Sequence, residues 1–467
     1  MSRDAIVLTT LAAYKIALLL IGVWASRRNS STHDYLLAGG GLGGWVAGLS
    51  ASASSSSAWT LLGVSGAAFA WGWSAIWLLP ATLGGFFVNW LFVAPRLAKL
   101  ARAEGALTLS EVVMPASLGS ARAPLLRLAA AIIVFCFVFY IAAQFDGAGK
   151  AFTANFGWSS TNSILIGAVI IIAYTWLGGF WAVSVTDALQ ALMMLLVAIG
   201  LPLLAVSAAW AEPGALSALR NTNVGDTYPG VLGVAFVIGT LGIGLGYPGQ
   251  PHVVNRFMAL KDEQALRRGR LIALLWAVLV YVGMLSLGWS ARVLIGTPGA
   301  GEQALFLTAD ALLPPLAAGL VLAAVLSAIM STADSQLLSA AAAVAHDWRL
   351  DTSRSDDSPM RIRVVVLLIA LTAVGLALFV PQDIFSRVLF AWHAIGAALG
   401  PLLIARLVGW QLGPKVTLAA MLSGFVLTVL FHLAVDSTGD WVERLVPFIV
   451  GGLCIAIGGQ GESNASR

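Results

Sequence analysis

The sequence predicts an all-α integral membrane protein with about thirteen transmembrane helices, and two observations carry this prediction. Hydrophobic residues make up 59% of the 467 residues, whereas charged residues make up only 10%. A soluble domain usually carries roughly 25% charged residues, because its surface must face water. Long apolar runs such as 129–138 and 195–208 exclude membrane-spanning strands, which alternate apolar and polar residues. Most of the chain is therefore expected to face a lipid bilayer or other helices.

Hydropathy divides the chain into successive spans with short polar connections. The thirteen predicted spans are 5–26, 43–70, 74–95, 125–152, 161–177, 180–209, 229–250, 271–295, 315–346, 362–380, 386–408, 414–435 and 444–460. Arg27 and Arg28 follow the first apolar run, which is opposite to the order in a signal peptide. Most of the 26 basic residues fall in loops that are cytoplasmic if the N-terminus lies outside. The positive-inside rule then predicts an external N-terminus and a cytoplasmic C-terminus.

The spans also predict a domain organisation. We expect one transporter domain covering 1–467, with a separate first helix (5–26), repeat one (43–209), repeat two (229–408) and C-terminal helices (414–460). Five spans per repeat force the second repeat to be inverted in the membrane, which is a common plan for secondary transporters. The basic residues are scattered over loops, so we expect no nucleic-acid partner.

The second span is the first place where chemistry is indicated. Six of the eight residues from Ser50 to Ser57 are serines, which compete for backbone hydrogen bonds and weaken a helix. An irregular backbone survives at membrane depth only where it is buried in protein or lines a cavity, and its carbonyls can then coordinate a cation. The alternative is that these small side chains merely permit close helix packing.

A second hydroxyl cluster lies in the ninth span. Its members follow the i, i+3, i+4, i+7 spacing of one helical face: Ala328, Ser331, Thr332 and Ser335. Hydroxyls beside the carbonyls of a broken helix suit a small dehydrated cation such as sodium. Asp334 lies about 60° off that face, so it can add charge to the site or pair with a neighbouring helix.

Intramembrane acids are hypotheses for function by default, because each costs on the order of 3 kcal/mol at a helix centre. Asp187 and Asp334 are candidates for a second cation or proton site, although Asp187 could instead cap the start of its helix. Asp146 precedes Lys150 by four residues, and this spacing predicts an ion pair within one helix.

The seventh span is broken as well. Between Gly242 and His252, glycines alternate with other residues and two prolines follow, so a regular helix is not expected. Interrupted segments at corresponding positions of two repeats indicate a central substrate site. Tyr247 would offer a ring and a hydroxyl to that cavity. His393 is a lone intramembrane histidine, and a packing role is the simpler interpretation.

These residues together resemble the sodium:solute symporter family, and they are most similar to its bacterial sodium/proline symporter branch. The resemblance covers nearly the whole chain through the blocks Tyr35–Gly40, Leu49–Ser54, Ala58-Trp59, Leu177–Phe180 with Asp187, Gly246–His252, Arg256–Met258, Ala328–Leu338 and Ala391–Pro401. It implies a ten-helix inverted-repeat core and sodium-driven uptake by alternating access, with no enzymatic function. It also implies a location in the inner (plasma) membrane.

The resemblance further implies site residues. A principal sodium site would use the carbonyls of Ala53, Ser56 and Ala328 and the hydroxyls of Ser331 and Thr332. A second sodium site, present in some members, would use Asp187, Ser331 and Ser335. The positions of Tyr140, Tyr247 and Pro251 would contribute to substrate binding, and we add Ser57, Gln144 and His393 as hypotheses.

Three departures from the branch affect the expected substrate and ion. Ser55 stands where the branch has an acid, Ile243 where it has a tryptophan, and His393 where it has a small residue. We therefore expect a sodium symporter for a small amino acid, proline-like, or a small carboxylate. Two alternatives stay open: a proton-coupled transporter of the same fold, and a transporter-like membrane sensor of a small ligand.

Overall fold

The computed structural model describes residues 2–26, 36–177, 179–296, 301–348, 359–380 and 383–465. The sequence features at Arg27, Arg28, Tyr35 and Gly178 lie outside these residues. Within them the chain is helical, and the single β-type pairing is an isolated bridge between Leu42 and Leu260. The predicted all-α membrane protein is therefore confirmed.

The helices of the described residues are numbered in chain order. They are α1 (Arg3–Ser26), α2 (Gly44–Ser55), α3 (Val64–Trp71), α4 (Leu78–Phe87), α5 (Ala94–Glu104), α6 (Leu109–Val113), α7 (Arg122–Phe156), α8 (Ser160–Leu177), α9 (Phe180–Ala211), α10 (Val224–Thr227), α11 (Val231–Gly242), α12 (Pro251–Met258), α13 (Glu263–Leu294), α14 (Ala304–Leu312), α15 (Pro315–Ala342), α16 (Pro359–Phe379), α17 (Ile384–Leu407), α18 (Pro414–Ala434) and α19 (Trp441–Ala465).

The predicted number of thirteen spans is not confirmed. Eleven helical stretches of the described chain are long and apolar enough to cross a membrane, and 160–173 adds a shorter apolar one. One span is lost at the second and third predictions, because α2 stops at Ser55 and the next stretch runs continuously from Trp59 to Glu104, and the other is lost at the fifth, where 160–173 is too short to count. That stretch bends at Gly72, whose φ of +58° is a left-handed value that favours glycine.

Helices α15 and α17 form the centre of the structure, since most residues in their apolar stretches are buried. Helix α15 contacts α7, α9 and α2, whereas α1 packs on the outside against α15 and α9. The start of α2 and the end of α12 are joined by backbone hydrogen bonds, from Leu42 N to the Ala259 carbonyl and from Lys261 N to the Leu42 carbonyl, both 3.0 Å. The two interrupted segments are thus tied together at one end.

Candidate functional site

Helix α2 breaks where the serine run predicts it. Ser56 has φ −121° and ψ 85°, and its N–H still reaches the Ala53 carbonyl at 3.1 Å. The residues beyond the break find side-chain partners instead of helical ones: Trp59 N donates to Ser57 Oγ at 3.1 Å, and Ala58 N donates to Gln144 Oε1 at 3.0 Å. These contacts let a non-helical backbone persist inside the protein, where water cannot satisfy it.

The hydroxyl face of α15 lies directly against this break. Ser331 Oγ donates to the carbonyls of Ala53 and Ala328, both at 3.2 Å. Thr332 Oγ1 lies 3.2 Å from the Ser54 carbonyl and 3.5 Å from that of Ala53. We call the five residues of the predicted sodium site, all fully buried, the hydroxyl–carbonyl site: Ala53, Ser56, Ala328, Ser331 and Thr332.

The hydroxyl–carbonyl site carries no formal charge of its own. Its members supply oxygen atoms, the ligand type that hard cations prefer, from a helix end and from hydroxyls that can rotate. Ser55 does not change this charge balance, since its Oγ donates back to the Ser52 carbonyl at 3.0 Å. The position where the sodium/proline branch has an acid is therefore filled by a side chain bonded within its own helix.

A charged cluster made of Asp187, Arg256 and Asp334 lies beside the hydroxyl–carbonyl site. Arg256 and Asp187 form an ion pair at 2.9 Å, and their side chains are 1% and 0% exposed. The same carboxylate oxygen accepts hydrogen bonds from Ser50 at 2.9 Å and Ser54 at 3.1 Å. A buried ion pair needs such extra hydrogen bonds to offset the loss of hydration.

Ser335 connects the charged cluster to both broken segments. Its Oγ lies 3.1 Å from Ser54 Oγ, 3.4 Å from Asp334 Oδ1 and 3.5 Å from Asp187 Oδ2, and it also accepts from the Arg256 guanidinium. The structure therefore brings Asp187, Asp334 and Ser335 together, as predicted. It adds one group that sequence reasoning missed, the Arg256 cation.

The structure corrects one expectation about these charges and excludes one alternative. Arg256 lies between the predicted spans 229–250 and 271–295, in a connection whose basic residues were counted as cytoplasmic, but it belongs to α12 and is buried because that short helix turns back into the protein. Asp187 does not cap a helix, since α9 begins seven residues earlier at Phe180. The predicted pair of Asp146 and Lys150 is present at 3.0 Å.

An aromatic cluster lies on the other side of the break and contains Tyr140, Tyr247, Tyr281 and Trp392. Tyr247 OH lies 3.3 Å from Tyr281 OH, and the rings of Tyr247 and Trp392 meet edge-on at 4.7 Å. Tyr140 donates to Ser57 Oγ at 3.4 Å and packs against Trp392 at 6.4 Å. The predicted substrate residues Ser57 and Tyr140 are thus in contact, and Trp392 lies between Tyr140 and Tyr247. Gln144 reaches the backbone next to Ser57, at Ala58.

The second broken segment contributes Tyr247 to the aromatic cluster and also contacts Trp392. A 3₁₀ helix runs from Ile243 to Gly249, and α12 starts at Pro251. The Ile243 carbonyl accepts a hydrogen bond from Trp392 Nε1 at 3.2 Å. Trp392 therefore places an indole ring next to the position where the branch has a tryptophan and this chain has isoleucine.

His393 is not brought into the aromatic cluster. Its Nδ1 lies 2.7 Å from the Leu389 carbonyl one turn earlier in α17. Neighbouring residues of a helix point about 100° apart, so Trp392 and His393 present their side chains to different neighbours. The predicted role of His393 in substrate binding stays a prediction.

Sequence comparison gives the same family as the motifs. Residues 35–424 match the sodium:solute symporter family. The osmoregulated proline transporter OpuE of Bacillus subtilis is 33% identical over 94% of this chain and 92% of its own length. The sodium/proline symporter of Escherichia coli K12 is 32% identical over 96% of this chain and 92% of its own length.

The chain belongs to the sodium:solute symporter family. It is accordingly a multi-pass membrane transporter that couples the import of a small solute to sodium, and it is not an enzyme. A sodium-coupled sialic acid symporter, solved in a substrate-bound outward-open state, shares the fold with a TM-score of 0.77 at 19% identity, covering 97% of this chain and 96% of that one. MhsT, solved with L-phenylalanine, has a TM-score of 0.53 at 15% identity, covering 89% and 97%.

Proposed function

We propose that this sodium:solute symporter imports proline or a closely similar small amino acid. Two relatives described as proline transporters share about a third of their residues with this chain over almost its whole length. The aromatic cluster beside the break is compatible with a compact, partly apolar solute. A small carboxylate without an amino group is the second substrate class that we would test.

The observation that carries the proposal is the contact between the hydroxyl face of α15 and the freed end of α2. We propose that sodium binds between them, held by the carbonyls of Ala53, Ser56 and Ala328 and the hydroxyls of Ser331 and Thr332. The Ala53 carbonyl already lies within 3.5 Å of both hydroxyls, so the oxygens need little rearrangement to surround an ion. Carbonyls at unwound helix segments are the usual ligands for coupling ions in transporters of inverted-repeat architecture.

For the solute, we propose a pocket between the break and the aromatic cluster. The hydroxyls of Ser57 and Tyr140 would donate to the solute carboxylate, and Gln144 would hold the backbone at Ala58 in place. The rings of Tyr247 and Trp392 would cover the apolar part of the solute. Pro251 would fix the start of α12 next to that surface, since proline fits the first position of a helix without losing a hydrogen bond.

Coupling would follow from how close the two sites are along the chain. Ser56 would bind sodium through its carbonyl, and Ser57, the next residue, would bind the solute through its hydroxyl. Sodium binding would therefore order the backbone that presents Ser57, so the solute would bind more tightly once sodium is present. Such mutual stabilisation is reciprocal, and each ligand must raise the affinity of the other by the same factor.

We also propose the orientation that the loop charges favour. The N-terminus would lie outside and the C-terminus in the cytoplasm of a bacterial plasma membrane, because most basic residues then face the cytoplasm.

Uptake into proteoliposomes tests the proposed function. Labelled proline, other small amino acids and short carboxylates would be supplied with and without an inward sodium gradient. We expect proline to accumulate only with sodium. Accumulation of another compound would replace the proposed substrate, and uptake driven by a proton gradient alone would move the coupling role to Asp187 or Asp334. Binding without accumulation would favour a sensor.

A further inference from the structure

The second residue of α12 is a buried histidine. His252 follows Pro251 directly, and its side chain is completely buried. Within the described residues, neither its Nδ1 nor its Nε2 makes a hydrogen bond of ordinary geometry. A buried polar group without a partner costs free energy, so such a group in a native fold calls for an explanation.

The His252 ring lies next to the aromatic cluster. Its centroid is 5.2 Å from that of Phe137, 6.0 Å from that of Tyr140 and 6.4 Å from that of Trp392, and all three contacts are edge-on. Tyr140 is the residue whose hydroxyl donates to Ser57 Oγ. The histidine is therefore a neighbour of the two hydroxyls that we propose for the solute carboxylate.

The surroundings of His252 favour a neutral ring. Its own backbone carbonyl accepts a hydrogen bond from the Arg256 guanidinium, so a positive charge is already present one turn along α12. Burial and a neighbouring cation both disfavour a second positive charge. A neutral imidazole has one N–H donor and one nitrogen that can only accept a hydrogen bond.

The accepting nitrogen is the one that needs a donor. The Ser54 carbonyl acts on the ring as a hydrogen-bond acceptor, and a carbonyl can satisfy only the N–H of the imidazole. The polar hydrogens of the two neighbouring rings are already used, since Tyr140 donates to a serine hydroxyl and Trp392 Nε1 donates to the Ile243 carbonyl. Neither of these rings supplies a donor for the lone pair of His252.

A solute with an amino group would supply that donor. An α-amino acid carries its carboxylate and its amino group on the same carbon, so the two groups lie next to each other. The rings of Tyr140 and His252 are only 6.0 Å apart, so a small amino acid held at Tyr140 by its carboxylate would bring its N–H groups close to His252. The resulting hydrogen bond is charge-assisted and therefore stronger than a neutral one. A carboxylate without an amino group would leave the lone pair unpaired.

We infer that His252 recognises the amino group of the solute by accepting a hydrogen bond from it, and that it thereby distinguishes an amino acid from a carboxylate of the same size. The inference rests on the proposed function and decides between its two substrate classes. It assigns this selection to a residue of α12, on the second broken segment.

Competition for the binding of labelled proline to purified protein in saturating sodium tests the inference. The competitors are proline and cyclopentanecarboxylate, which has the same ring size but no amino group. Wild type should bind proline at least about ten-fold more tightly than cyclopentanecarboxylate. His252→Phe keeps an aromatic ring but removes the lone pair. It should weaken the binding of proline by about ten-fold and change that of cyclopentanecarboxylate by less than about two-fold.

His393→Phe is the matched control. His393 is also completely buried and has an unpartnered Nε2 within the described residues, but its Nδ1 contacts the Leu389 carbonyl of its own helix, outside the aromatic cluster. This variant should keep the wild-type preference for proline. Loss of the preference in His393→Phe but not in His252→Phe would assign the amino group to the wrong histidine and overturn the inference.

Nitrogen-15 NMR of wild-type protein labelled at histidine tests the same contact if His252→Phe does not fold. Proline should shift the resonance of one non-protonated ring nitrogen, because a hydrogen bond to the lone pair changes its chemical shift, and cyclopentanecarboxylate should not. An absent shift, or equal weakening of both compounds in His252→Phe, would overturn the inference. Equally tight binding of both compounds by wild type would do the same. Failure of wild type to bind either compound would instead overturn the proposed function.

Discussion

The hydroxyl–carbonyl site and the charged cluster lie side by side against α2 and α15, but they differ in charge, and the cluster takes Asp187 from α9 and Arg256 from α12. In the first, Ser331 and Thr332 meet backbone carbonyls, and no residue carries a charge. In the second, Asp187 is held by Arg256 and by the serines of α2. Only one residue separates Thr332 from Asp334. Thr332 contacts a carbonyl oxygen, whereas Asp334 is linked through Ser335 to the ion pair of Asp187 and Arg256.

We propose that this difference determines where a mobile ion binds and leaves. A neutral set of oxygens binds a cation without a strong fixed field, so the ion can dissociate when the transporter opens inward. A buried ion pair is a permanent feature, because removing either charge leaves the other without a partner. We therefore expect substitutions in the charged cluster to affect folding and those in the hydroxyl–carbonyl site to affect ion affinity.

The largest effect is expected for Arg256→Met. It leaves the Asp187 carboxylate buried without its cation, and breaking such a pair typically costs about 3–5 kcal/mol. Thermal unfolding in detergent should show a large loss of stability. Arg267→Met is the matched control, since Arg267 pairs with Glu263 at 2.7 Å on the surface, where both side chains are more than 70% exposed. Equal stability of the two variants would contradict the difference between buried and exposed pairs.

Ser331→Ala should lower the affinity for sodium instead of the stability of the protein. Losing one hydroxyl ligand is worth about 1–2 kcal/mol, which corresponds to a roughly 5–30-fold increase in the half-saturating sodium concentration. Uptake measured over a range of sodium concentrations checks this. Thr428→Ala is a suitable control, because its buried hydroxyl donates to the Gly424 carbonyl of its own helix at 2.8 Å. A similar sodium shift in both variants would point to a general loss of packing.

Tyr247→Phe should weaken solute binding while sodium affinity at saturating solute stays unchanged. Phenylalanine keeps the ring that would cover the solute but loses the 3.3 Å contact between the hydroxyls of Tyr247 and Tyr281 that holds this ring in place. A loss of about 1 kcal/mol from the solute-bound form corresponds to a rise in KM of about five-fold. Tyr14→Phe removes a hydroxyl contact outside the aromatic cluster and should leave KM unaltered. If sodium affinity fell as much as solute affinity in Tyr247→Phe, the two sites could not be treated separately.

The smallest effect is expected for His393→Ala. Its buried ring contacts the Leu389 carbonyl of its own helix instead of the aromatic cluster, so KM should change by less than about two-fold, which corresponds to about 0.4 kcal/mol. A KM increase comparable to that of Tyr247→Phe would support the sequence-based assignment of His393 to the substrate site.

The part of the site that could be predicted follows from sequence patterns within single helices. The serine run of α2 predicted its break, and the spacing of Ala328, Ser331, Thr332 and Ser335 predicted one face of α15. Both are properties of consecutive residues within one element. The interruption near Tyr247 was equally visible, since alternate glycines and two prolines cannot continue a helix.

The missed residues depend on contacts between distant segments. Arg256 follows a stretch of glycines and prolines and precedes a polar loop, so its sequence context is typical of a basic residue in a loop. The apolar residues around it, Val253, Val254 and Phe257, were the available sign that this short segment turns inward. Trp392 was one of seventeen tryptophans, and only the fold shows that its ring lies between Tyr140 and Tyr247.

The most direct measurement of the central claim is the sodium dependence of proline uptake by Thr332→Ser and Thr332→Ala in proteoliposomes. Serine keeps the hydroxyl that lies 3.2 Å from the Ser54 carbonyl, and alanine removes it. We predict near wild-type sodium dependence for Thr332→Ser and a half-saturating concentration at least about five-fold higher for Thr332→Ala. Wild-type sodium dependence in both variants would contradict a sodium site between α2 and α15.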